Sequence, residues 1–460
     1  MVCPAIPCGH GEFGLMVRPT SIGTRRHRQA PADCATTPDR LMGQASPSTS
    51  APPQTRRVIA ADNHKWEFKA RFRRHAFGWK SRPAIQRVKQ AVSEIKKVAR
   101  TEPVLAADGA VTLVERLSPA LEHVDSSSGA IGTAVNNAIA EIVPIIFGAP
   151  AASEMRETWL ERLWTAHEAD QIPYIEGLAD YWGTLCASKE VANTWADRLV
   201  GITRMALSPV KSLRGHFHGT SACLSALYRA ERYTEIVDLL QGDNIWPYKR
   251  WAVKALAAMG KNSEAILYAE SCRGPWTHDG GVDAICEEIL RESGLVEEAY
   301  ERYGLQASRG GTYLATLKAV AKKYPDKNTR EILADLVKTT PGEEGKWFAA
   351  AKEVGLYDEA LALARRTPCD PKTLTRAARD FSDRQPSFAV GAGLLAMHWL
   401  VQGYGHEVTA ADVWTAYSNT MKAAEKNGDA SKIQESVKKL VASEAPGGFV
   451  ARILGRELGL

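Results

Sequence analysis

The sequence predicts an all-α fold, a solenoid of stacked helical hairpins behind a disordered N-terminal tail, and three observations carry that prediction. Beyond residue 100 apolar side chains recur at helical spacing in nearly every segment. Long alternating segments bounded by turn residues, the mark of β-strands, are missing there. A short pattern of glycine, three residues, glutamate and alanine then recurs through the second half. With 460 residues the chain has room for two to four domains or for one extended repeat array.

Residues 1–60 are rich in Pro, Ser, Thr and Gly, show no sustained period and read as a disordered tail. Residues 61–100 form a basic aromatic segment followed by an amphipathic helix. From Lys65 the pattern alternates strictly, with Trp66, Phe68, Ala70 and Phe72 against Lys65, Glu67, Lys69, Arg71 and Arg73, which predicts extended backbone. Pro83 then suits a helix start, and Ile85, Val88, Val92 and Ile95 follow at helical spacing.

Residues 101–219 read as an irregular helical-hairpin domain. Val111, Leu113, Val114, Leu117 and Leu121 form one stripe and Val135, Ile139, Ile142 and Ile145 another, with a turn at 125–132 between them. Further helices are predicted at Met155–Glu168, Tyr174–Cys186, Lys189–Ala206 and Ser221–Ala230.

Residues 220–445 carry the repeats, and 446–460 are left as a C-terminal tail. Gly260 precedes Glu264 and Ala265, Gly294 precedes Glu298 and Ala299, and Gly355 precedes Glu359 and Ala360. Degenerate copies at Glu235–Ile236 and Glu331–Ile332 bring the period to 28–34 residues. At these positions the chain resembles the tetratricopeptide repeat, a helix pair with a glycine between its helices and a small alanine in the second. Tyr303 stands where that family's later aromatic falls, whereas the early Trp and Leu-Gly of its first helix are not kept. The resemblance implies a concave surface that receives a protein or peptide. The stretches at 339–348 and 126–137 also look like a group of bacterial proteins of unassigned function, a likeness that implies no activity.

Charge is unevenly placed. Residues 56–100 hold 14 Lys and Arg against 3 acids, whereas residues 101–460 have a net charge of −8. The 8 cysteines are spread without a CxxC pair, which points to reduced thiols and a cytoplasmic setting rather than a disulfide scaffold. No apolar run approaches the length of a membrane span, because Ile142–Ala152 is short and Phe388–Val401 is interrupted by His398, so no membrane partner is expected.

No cofactor or catalytic centre is predicted. His167–Glu168 lacks the second histidine of a zinc-protease helix, where Gln171 stands, and phosphate loops and nucleophile elbows are missing. Glu287–Glu288 and Glu343–Glu344 read as solvated faces. His216, His218 and Cys223 have the right chemistry for zinc, but His-x-His aligns its ligands only in extended backbone, so no metal is expected. The 12 tryptophans are expected mostly in the core. The favoured function is a non-enzymatic scaffold that binds a protein or peptide partner, with Arg250, Lys254, Trp276 and Trp347 as candidate contacts. Arg250 and Lys254, one helical turn apart, would suit an acidic peptide. The alternative is nucleic-acid binding by residues 65–100, where Lys65, Arg71, Arg73, Arg74, Lys80 and Arg82 would meet phosphates and Trp66, Phe72 and Trp79 would stack on bases. An enzyme with an unrecognised site is the second alternative.

Overall fold

Helical periodicity carries through to the structure, a computed structural model that describes residues 64–460 apart from 209, 211–214, 275–278 and 446. Among the described residues every regular element is a helix. The expected disordered tail, 1–60, lies outside them.

The expected extended segment at Lys65–Phe72 is instead a single helical turn, Glu67–Arg71. Its aromatic alternation also places Phe68 and Phe72 four residues apart, and that helical spacing wins because Trp66, Phe68 and Phe72 all bury against the next helices. The carboxylate of Glu94 accepts the backbone N–H groups of Glu67 (2.8 Å) and Phe68 (3.1 Å), supplying partners for the open end of the turn. Trp66 lies over Gly109, where a β-carbon would come within 2.2 Å of its ring, so only glycine permits this seat.

Three 19-residue helices, Ser81–Ala99, Pro103–Leu121 and Ala130–Gly148, then pack on one another. They bury Val88, Val92 and Ile95, Leu113 and Leu117, and Val135, Ile139 and Ile142, the stripes read from the sequence. Ala130–Gly148 corrects one expectation. It is long and apolar enough to cross a membrane by length and composition, its run having been obscured by Asn136, Asn137 and Glu141, and here one face of it packs into the core. The helix Ser153–Glu168 is tied to Pro103–Leu121 by Arg162, whose guanidinium forks onto Glu115 (2.8 and 2.7 Å) and reaches Asp108 (2.6 Å). Tyr174–Cys186, expected as one helix, is a 3₁₀ turn at Glu176–Tyr181 and a short helix at Trp182–Leu185. Lys189–Ala206 forms as predicted, with the Ser188 hydroxyl accepting from the Val191 N–H (3.2 Å).

From Thr220 the helices come in hairpins, and four of them share one turn, in which the residue ending the first helix takes positive φ and the next N–H reaches back five residues; the hairpin Tyr313–Lys323/Thr329–Lys338 lacks it. The bonds are Arg232 to Leu227, Lys261 to Leu256, Leu295 to Leu290 and Leu356 to Ala351, at 2.9–3.0 Å, and the positive-φ residues are Glu231, Gly260, Gly294 and Gly355. Gly403 and Gly428 repeat the turn without the glutamate-alanine signature. Ala265, Ala299 and Ala360 are buried in the second helices, where a small side chain permits close approach.

The apolar core does not divide at residues 100 and 219. One cluster runs from Trp66 to Ala255, a second from Val253 to Tyr303 and a third from Tyr300 to Leu458. Side-chain hydrogen bonds cross from the second to the third, where the Tyr324 hydroxyl donates to Glu287 (2.7 Å) and Lys323 pairs with the same carboxylate (2.6 Å); the Tyr300 hydroxyl donates to Asp335 (2.9 Å) within the third. A π-helical turn, Tyr300–Gly304, brings Tyr300 and Tyr303 to this junction.

Candidate functional site

The recurring turn sets the first helices of three hairpins, Thr220–Arg229, Trp246–Ala258 and Asp279–Glu292, in a common register. Counting back from Glu231, Gly260 and Gly294, residues Tyr228, Ala257 and Arg291 occupy one position, and Lys254 and Glu288 another. All three helices contribute to a groove of about 320 Å³. Tyr228, Lys254, Ala257 and Ala258 form part of its lining, with Ile285, Glu288, Ile289 and Glu292 from the third helix. The Asn262 side chain donates to Ser293 Oγ (2.8 Å) between the second hairpin and the third.

The electrostatics of this groove are not those expected from sequence. Arg250 pairs with Asp180 (2.5 Å). Lys254 does line the groove, with its ammonium 5.2 Å from the centre of the buried Trp251 ring. Glu288 and Glu292 are exposed one turn apart, and among the described residues neither has an ion-pair partner within 4.0 Å. Burial pushes the Tyr228 phenol above its ordinary value, and Tyr233 and the carboxylates of Glu292 and Glu288 add to the shift.

The other predicted contacts are not brought to this groove. Trp347 is buried at 2% exposure with its indole N–H donating to Thr340 Oγ1 (2.8 Å), and Trp276 lies outside the described residues. Glu287, expected on a solvated face, is also only 2% exposed because it anchors Tyr324 and Lys323, while its neighbour Glu288 faces the groove. Glu343 is half-buried and accepts from the Tyr313 hydroxyl (2.7 Å).

The basic segment splits by side-chain type. Lys65, Arg71, Arg73, Arg74, Lys80 and Arg82 are exposed or nearly so, with Arg71 3.2 Å from Glu67 and Arg74 3.9 Å from Glu122. Trp66 and Phe72 are buried and have no free face for a base, a correction to their proposed stacking role, whereas Trp79 is 73% exposed. His216 and His218 are exposed with their rings perpendicular at 4.6 Å, but Cys223 is buried and its thiol is pushed up to about 12 by burial. No three His, Cys, Asp or Glu side chains gather as a metal site among the described residues.

No protein-family model matches the chain, and no curated protein matches it in sequence.

Proposed function

We propose that this protein is a non-enzymatic scaffold that holds a protein or peptide partner on the first helices of its tetratricopeptide-like hairpins. The observation that carries the reading is the groove lined by three successive first helices, because stacked hairpins offer extended concave surfaces to their partners. The five described cysteines form no disulfide with one another, which supports a cytoplasmic setting. Affinity purification of the tagged full-length chain from native lysate, with and without nuclease, tests the reading. A partner that survives nuclease and is lost in Tyr228→Ala or in the groove-filling Ala258→Trp supports it, whereas co-purification unaffected by either variant overturns the assignment to this groove.

Nucleic-acid binding remains the second reading, favoured by the exposed cations around Trp79. It predicts retention of nucleic acid that weakens as salt rises and as Arg73, Arg74, Lys80 and Arg82 are changed together to alanine.

A further inference from the structure

The sign of charge in the groove bears on what binds there. We propose that its occupant is a cationic segment of a partner protein, one presenting an arginine or lysine to Glu288 and Glu292; this rests on the groove being the partner site. The third hairpin's first helix presents these two carboxylates one turn apart to the groove, and neither has an ion-pair partner among the described residues. Opposite them stands one groove cation, Lys254, already over the face of Trp251. Arg250 is paired with Asp180, and Arg291 stands over the Tyr324 ring at 5.7 Å. Two carboxylates therefore face one ammonium, and an acidic peptide entering this groove would meet net repulsion.

The rest of the lining suits the same occupant. Ala257 and Ala258 contribute small side chains to the lining, and Ile285 and Ile289 contribute apolar surface. A long basic side chain can lay its methylenes on such a surface and hold its charged head at a carboxylate. The half-buried Tyr228 ring adds an aromatic face of the kind that attracts guanidinium. The net charge of −8 over residues 101–460 favours a cationic over an acidic occupant close to this part of the chain.

The test is fluorescence anisotropy of the full-length chain with a labelled dodecapeptide of alternating Lys/Arg and Gly/Ala, and with its counterpart carrying Glu at every basic position. The basic peptide is expected to bind about 3- to 10-fold more weakly to Glu288→Gln/Glu292→Gln. It should bind unchanged to the exposed control Glu154→Gln/Glu157→Gln, which alters net charge equally. Lys254→Glu should tighten the basic peptide several-fold, an effect that misfolding would not produce. Equal weakening by the control pair would show diffuse attraction and overturn the proposal. Binding of the acidic peptide that is lost in Lys254→Glu would overturn the cationic occupant while leaving the groove as a partner site. Indifference of both peptides to every groove variant would overturn the inference, with the lysate purification deciding separately whether the groove has a partner. Self-association abolished by Glu288→Gln/Glu292→Gln would reassign the groove to a second copy of this chain and overturn the partner protein proposed here.

Discussion

At the scale of single residues, two features have direct consequences. Gly109 sits in a helix interior, where glycine ordinarily costs stability, and its reason is the Trp66 ring above it. Gly109→Ala therefore places a methyl inside occupied space despite the better helix propensity of alanine. We expect a loss of about 1–3 kcal/mol, read as a lower denaturation midpoint, with Trp66 fluorescence shifting to the red as the ring is displaced. The buried cysteines are the second feature. Burial raises the thiols of Cys186, Cys223 and Cys369 to about 12 and Cys286 to about 11. At pH 8 their thiolate fraction is on the order of one in a thousand or less, and the thiolate is the nucleophile. Alkylation followed by mass spectrometry should leave all four unmodified in the native protein and label them in denaturant; prompt labelling of Cys223 without denaturant would contradict the buried placement.

At the scale of elements, the recurring turn is the main determinant. Gly260, Gly294 and Gly355 have φ between 77° and 81°, and nothing stands within 4 Å of where a β-carbon would go. Replacing each by alanine should thus cost about 1–2 kcal/mol from the backbone alone, measurable by urea titration, with little change in cooperativity. Glu231 holds the same conformation without glycine and pairs with Lys189 at 2.5 Å. The reverse change, Glu231→Gly, should relieve the backbone at the expense of that exposed pair, for a net gain below about 1 kcal/mol. Much of this was legible in the sequence, since three glycines announced their turns and Lys189–Ala206 carries both a cap and an unbroken stripe. The turn at Glu231 was hidden because left-handed backbone there is imposed by the packing of its hairpin rather than by residue type. Lys65–Phe72 misled because three buried aromatics in an alternating stretch fit either period until a neighbouring surface selects one. Of the groove, Lys254 was visible as a cation on a helix, but Glu288 was not separable from Glu287. Adjacent helical positions point about 100° apart, and only the placement of Tyr324 decides which of the two is buried.

At the scale of the whole molecule, the junction between the second and third apolar clusters responds to alkali. Burial, then hydrogen bonding to a carboxylate, raises the phenols of Tyr300, Tyr303 and Tyr324 well above their ordinary value near 10. In the unfolded chain these groups lose their protons from about pH 10, while the folded protein still holds them. The folded state then binds more protons, so stability falls as pH rises above about 10 and is unaffected by these groups below it. Denaturation midpoints between pH 8 and pH 12 should show this fall, with the tyrosinate absorbance near 295 nm appearing together with unfolding; Tyr324→Phe should make the fall shallower. The order of the clusters has a consequence for synthesis. The buried residues of the first cluster end at Ala255, so all of them are made before the later hairpins. At roughly 5–20 residues per second, synthesis is slow enough for a helical core of local contacts to settle before the later hairpins follow. Each later hairpin then emerges from the ribosome beside a finished surface on which to condense.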